Sequence, residues 1–115
     1  MKKRFVKSQN EPKMITIQGE EYPALFSMAA MAEVEELSGL PYGVYFNKLA
    51  ANETRLKDQL FLVVACLHGG GTEVTLEDLM ESLDFAHDFP AVLSQVIEMA
   101  TIQAPEGDEN AKKPK

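Results

Sequence analysis

The sequence predicts a mainly α-helical domain with a small N-terminal β-hairpin, an α+β fold in which about five helices pack around a central apolar helix. Three observations predict this fold. A short β-branched segment comes first, at 14–18. Apolar residues then recur at helical spacing as far as residue 102. Among them, 60–67 is a run of eight apolar residues, which is typical of a helix buried on nearly every side.

The hairpin is predicted from two short strands around a glycine. Residues 14–18 form the first strand, Gly19-Glu20 forms the turn, and residues 22–26 form the return strand. Pro23 lacks the N–H that a central strand must donate, so this strand is expected at an edge of the sheet.

Capping residues delimit the first helix and a break in the chain precedes the second. Ser27 is a favourable N-cap for a helix over 28–37, and Gly39 stands where a helix commonly turns left-handed at its end. After the Leu40-Pro41 break, apolar side chains at positions i, i+3, i+4 and i+7 predict a short second helix. They are Tyr42, Tyr45, Phe46 and Leu49.

The remaining three helices are predicted from their boundaries. The third starts after Asn52 or Thr54, contains 60–67, and ends at the triple glycine 69–71, read as a flexible helix stop. Thr75 and Asp78 resemble a capping box that opens the fourth helix. The fifth begins at Asp88, and its buried side is expected to comprise Phe89, Val92, Leu93, Val96, Ile97 and Ala100.

Charge divides the chain into three parts. Residues 1–13 carry a net charge of +4 and are expected to form a basic flexible leader. Residues 14–104 carry −11 and are expected to form a single helical domain that includes the hairpin. Residues 105–115 are neutral overall and almost without large apolar side chains, so a disordered polar tail is expected there.

Composition excludes several classes of function. The net charge of −7 argues against nucleic acid or an anionic membrane as the main partner. One cysteine rules out a disulfide framework, and two histidines leave few ligands for a metal, so no cofactor is expected. The run 60–67 is far shorter than the ~18–20 apolar residues that span a bilayer, and residues 5–10 do not continue as a signal peptide would.

Few side chains suggest chemistry. Cys66 lies in an apolar run and is interpreted as a core residue rather than a nucleophile. His68 falls at a helix end, where a cation favours the helix dipole, so capping is preferred over catalysis. His87 is expected in an exposed loop. The glycines at 69–71 follow a helix and lack the lysine of a phosphate-binding loop.

The first and last helices carry the candidate partner-binding residues. Glutamates that lie close together on the first helix are interpreted as a solvated acidic face, with a docking surface for a basic partner as the alternative. Methionines usually fill core gaps, but those exposed beside alanines would form an adaptable binding surface. The candidates are Met28, Met31, Glu33, Glu35, Glu36, Met99 and Ile102.

Several motifs occur together in one order: strand–turn–strand over 15–23, Phe26-Ser27, Glu35-Glu36-Leu37-Ser38-Gly39, and Thr75-Leu76-Glu77-Asp78-Leu79 before the last apolar helix. In order and spacing, residues 14–102 resemble the tail assembly chaperones of long-tailed bacteriophages. The basic extension at 1–13, the triple glycine and the aromatic second helix depart from that family's pattern.

The resemblance implies a non-enzymatic role in tail morphogenesis. Such a protein would bind the tape-measure protein in the host cytoplasm, keep it soluble, help recruit tail tube protein, and be absent from the finished virion. Small homo-oligomers would line several copies along the partner. The alternative from a different class is a small acidic helical adaptor or inhibitor that binds another host or phage protein.

Overall fold

The computed structural model describes residues 11–103 and confirms the predicted α+β fold. Residues 1–10 of the expected leader and the expected tail at 105–115 lie outside the described residues. In chain order the elements are β1 (Lys13–Ile17), β2 (Glu20–Ala24), α1 (Met28–Ser38), α2 (Tyr42–Ala50), α3 (Leu56–Gly69), α4 (Leu76–Ser82) and α5 (Asp88–Gln103). Within the described part of the chain, no helix is long and apolar enough to cross a membrane.

The hairpin turns one residue earlier than predicted. β1 and β2 pair antiparallel with Ile17 opposite Glu20, so the two-residue loop is Gln18-Gly19. Both loop residues have positive φ, 55° and 83°, which matches the right-handed twist of the flanking strands. Because Lys13 pairs with Ala24, the strand also begins one residue inside the expected leader.

β1 is held to the helical layer along its outer edge. Gln95 of α5 behaves like a neighbouring strand: its Oε1 accepts from Thr16 N at 2.8 Å, and its Nε2 donates to Thr16 O at 2.9 Å. These bonds satisfy the backbone groups of an exposed edge. The side chains of Ile15 and Ile17, which alternate with the exposed Thr16 and so lie on the other face of the strand, are buried in the core.

α3 is the central helix, as predicted. All eight residues from Leu60 to Leu67 are buried, and the helix packs against α1, β2, α4 and α5. An α-helix surrounded on all sides has no polar face, which explains why the run lacks charged residues. Buried side chains of α5 complete the core, namely Phe89, Val92, Val96, Met99 and Ala100.

The triple glycine lies where β2 crosses the end of α3. Leu25 N donates to Cys66 O at 2.9 Å, and Thr72 Oγ1 donates to Pro23 O at 2.9 Å. A Cβ on Gly69 would overlap the Leu25 carbonyl, and one on Gly70 would overlap the backbone of Pro23 and Ala24. The interpretation as a flexible stop is therefore corrected: two of the three glycines are required by close backbone packing.

The predicted caps of α1 and α4 are confirmed. Ser27 accepts from Ala30 N at 3.2 Å, and Gly39 is left-handed with φ 76°. Thr75 and Asp78 form a reciprocal capping box, with both bonds 3.0 Å long. These bonds satisfy backbone N–H groups that a helix start leaves without partners.

Candidate partner-binding surfaces

The side of α1 that points away from α3 is an exposed face of four residues, Met28, Ala29, Ala32 and Glu36, which we call the α1 outer face. Met28 is 84% exposed, the largest value among the large apolar side chains of the described residues. Ala30 and Val34 lie on the opposite side of the helix and are buried. The face is therefore apolar at its N-terminal end, where two short alanine side chains lie beside Met28, and acidic at its C-terminal end, where Glu36 lies.

Two of the three predicted glutamates are engaged within the molecule. Glu33 Oε2 is 2.8 Å from His68 Nδ1, and Glu35 Oε2 accepts from Tyr42 N at 2.9 Å. The second bond caps the backbone at the start of α2. The interpretation as one solvated cluster is thus corrected, because only Glu36 is an exposed glutamate on this helix.

The other predicted residues have different environments. Met31 is half-buried and packs against the core. Met99 is 4% exposed, because it lies on the same side of α5 as the buried Val92 and Val96, so it is removed from the candidate surface. Ile102 belongs to α5, but its side chain lies outside the described ones.

His68 connects three parts of the fold. Its Nδ1 faces Glu33 of α1, and its Nε2 is 2.6 Å from the carbonyl oxygen of Val74, in the loop before α4. The hydrogen bond to Val74 raises the pKa of His68 above its ordinary value of 6.5; burial opposes this rise, and the Glu33 carboxylate adds to it. His68 is therefore a link between elements rather than only a favourable charge at a helix end.

Cys66 and His87 occupy the environments that were predicted. Cys66 is fully buried, and burial raises the pKa of its thiol to about 12. The His87 side chain is 86% exposed and its Nδ1 is 2.8 Å from Asp84 Oδ2. Within residues 11–103, no group of three His, Cys, Asp or Glu side chains is arranged to hold a metal ion.

A second exposed apolar feature was missed by the sequence reasoning. Phe85, in the turn between α4 and α5, is 70% exposed and stacks on Phe89 with ring centroids 5.9 Å apart. Met80 of α4 is also 47% exposed, whereas the adjacent Leu79 is buried. A single aromatic residue in a turn has no periodic pattern, which is why the hydrophobic spacing gave no signal for Phe85.

The surface around Phe85 is acidic. Residues 77–88, which flank Phe85 in the chain, contain five Asp and Glu and no Lys or Arg, and all of the five except Asp88 are exposed. The Asp84 side chain, adjacent to Phe85 in the sequence, is half-exposed, and hydrogen bonds from the His87 side chain and then from the backbone lower the pKa of its carboxyl group. It therefore carries its negative charge over the whole neutral range.

Comparison of the chain with models of protein families, with curated proteins and with solved structures found no match.

Proposed function

We propose that this protein is a non-enzymatic binding protein, a tail assembly chaperone of a long-tailed bacteriophage. It binds the tape-measure protein in the host cytoplasm, keeps it soluble and helps recruit tail tube protein, and it leaves before the virion is complete. The motif order over residues 14–102 supports this family, and the α1 outer face supports binding as its mode of action.

The observation that carries the proposal is the exposure of Met28 beside two alanines. Alanines keep the helix surface low, so the backbone of a partner helix can approach closely. The unbranched thioether of Met28 adapts to different side chains along a long partner. Glu36, at the other end of the face, favours partners with Lys or Arg at the matching position and keeps the complex soluble.

The family-like motifs build this face rather than contact a partner. Ser27 caps the start of α1, Gly39 provides its left-handed end, and Glu35 fixes the entry into α2. The motifs therefore set the length and direction of α1. The residues that would touch the partner, Met28, Ala29 and Ala32, lie between them.

Co-expression with the tape-measure protein of the same tail gene cluster tests the proposal. The wild-type chain is expected to raise the soluble yield of that protein and to co-purify with it. Met28→Asp buries a carboxylate in the contact and is expected to weaken binding about tenfold or more. Met14→Asp is the matched control, because Met14 is a 54% exposed methionine on β1.

Two negative results have different meanings. If the wild-type chain leaves the tape-measure protein insoluble, the chaperone function is wrong. If the wild type solubilises it and Met28→Asp does so equally well, the function stands and the α1 outer face is the wrong surface. A circular dichroism spectrum of each variant establishes that the fold is retained.

A further inference from the structure

Phe85 presents one flat side of its ring to solvent. The ring stacks on Phe89 at an interplanar angle of 13°, and Phe89 is itself only 9% exposed. One face of Phe85 is therefore supported by the core, and the opposite face accounts for its 70% exposure. The open face of the ring offers a flat apolar surface on which a cationic side chain of a partner can stack.

The turn that carries Phe85 is held by a set of hydrogen bonds. Asp84 N donates to Asp88 Oδ2 at 3.0 Å, and Phe89 N donates to Asp84 O at 2.9 Å. From the hairpin, Gln18 Nε2 donates to Ser82 O at 2.7 Å and to Asp88 Oδ2 at 2.9 Å. The turn that carries the ring is thus ordered before any partner binds, which reduces the entropy lost on association.

We infer that Phe85 and Asp84 form a docking site for an arginine carried by an apolar segment of a partner protein. A guanidinium group stacks on an aromatic face and at the same time bonds a neighbouring carboxylate in its own plane. Lysine offers only a compact charge, so it satisfies the two groups less well. The five acidic residues of 77–88, with no Lys or Arg among them, attract such a segment at longer range.

The negative charge of this surface also favours a different protein over a second copy of this chain as the occupant of the site. Two copies meeting through Phe85 would bring Asp84 and the neighbouring Glu81 and Asp88 of each copy together, and like charges at an interface oppose association. The site lies in the turn between α4 and α5, whereas the α1 outer face lies on another helix. It is therefore a second contact surface, and only the identity of the partner, the tape-measure protein, rests on the proposed function.

Peptide binding to the full chain tests the site. The probe is an amphipathic helical peptide with one arginine flanked by leucines. Two control peptides of otherwise identical sequence carry lysine or citrulline in place of the arginine. The Phe85 ring signals in a ¹³C-phenylalanine spectrum report binding. The arginine peptide is expected to bind at least about fivefold more tightly than the citrulline peptide, with an affinity that falls as salt rises.

Two variants test whether the preference for arginine depends on Phe85 and Asp84, and a third serves as the control. Phe85→Leu keeps an apolar side chain but removes the aromatic face, and Asp84→Asn removes the charge. Each is expected to reduce the preference for arginine over citrulline to less than about twofold. The matched control is Leu56→Ala at the start of α3, a 48% exposed apolar residue outside this surface, which is expected to retain the full preference.

Several results would overturn the inference. They are equal binding of the arginine and citrulline peptides, an unchanged preference in Phe85→Leu, and signal changes confined to other phenylalanines. If the peptides leave Phe85 unchanged while Phe85→Leu converts an oligomer to a monomer in sedimentation velocity, the surface belongs to a second copy and the inference is wrong. Peptide binding without tape-measure binding would instead reject the proposed function and leave the docking site in place.

Discussion

The imidazole of His68 lies 2.8 Å from the Glu33 carboxylate, although 35 residues separate the two positions. The second ring nitrogen is 2.6 Å from the Val74 carbonyl oxygen. Neither an ionised carboxylate nor a carbonyl can donate a proton, so both bonds form only when both ring nitrogens carry hydrogen. His68 therefore joins α1, α3 and the loop before α4 most strongly in its charged form.

The first prediction is a pH dependence of stability that originates in His68. The Val74 hydrogen bond, followed by Glu33, raises the pKa of His68 in the folded state above 6.5. For a raised pKa, the contribution is fully present below the unfolded value of about 6.5 and is lost as pH rises through the folded value. The free energy of unfolding, measured by urea titration, should therefore fall over this window, and the fall should be small because the side chain is 39% exposed.

Substitution of each histidine separates this link from general effects of pH. His68→Gln should flatten the change in unfolding free energy above pH 6.5. His87→Gln is the matched control, because His87 is 86% exposed and pairs only with the local Asp84 among the described residues. An unchanged pH profile in His68→Gln would contradict the role assigned to the Glu33–His68–Val74 link.

The ends of the helices could be predicted from the sequence, whereas the partners of His68 could not. Helix starts and ends depend on neighbouring residues, so Ser27, Gly39 and Thr75 could be assigned their roles from spacing alone. The partner of His68 depends on how α1 packs across α3, and no local pattern encodes that distance. The same holds for Gln95, whose amide pairs with a strand 79 positions away.

The second prediction concerns the two glycines under β2. Gly70→Ala places a methyl group against the backbone of Pro23 and Ala24, which cannot move as a side chain can. The expected loss of unfolding free energy is about 1–3 kcal/mol. Gly43→Ala in α2 is the matched control, because its Cβ would meet nothing within 4 Å and should stabilise the helix by about 0.5–1 kcal/mol. Equal effects of the two changes in urea unfolding would contradict the close packing.

The third prediction concerns Tyr45, which is fully buried and donates through its hydroxyl to Asp58 O at 2.6 Å. Burial, followed by the nearby Asp58 charge, raises the pKa of this phenol, so it remains a donor throughout the stable pH range. Tyr45→Phe removes the bond and should cost about 1 kcal/mol in the free energy of unfolding. Tyr42→Phe, on the exposed side of α2, should change it by less than about 0.5 kcal/mol.

The candidate surface was harder to predict than the core. The spacing of apolar residues shows which side of α5 is buried, but Met99 was assigned to the surface because methionine is common in both environments. Conversely, Met28 stands at the first position of α1, where packing from neighbouring elements is least complete, and it remains exposed. Whether an individual methionine is exposed depends on which neighbouring elements cover it. The helical spacing of apolar residues does not show this.

The last prediction uses Cys66 as a reporter of the central helix. The thiol is fully buried and burial raises its pKa to about 12, so at neutral pH almost no thiolate is present and no reagent has access to it. A chromogenic disulfide reagent should therefore react very slowly with the folded protein and rapidly in urea. Gly70→Ala should accelerate the reaction, because it weakens the packing of β2 beside the Cys66 carbonyl, which accepts from Leu25 N. Gly43→Ala should leave the rate unchanged or lower it. Rapid reaction of the wild-type protein without denaturant would show that α3 opens readily and would contradict a rigid central helix.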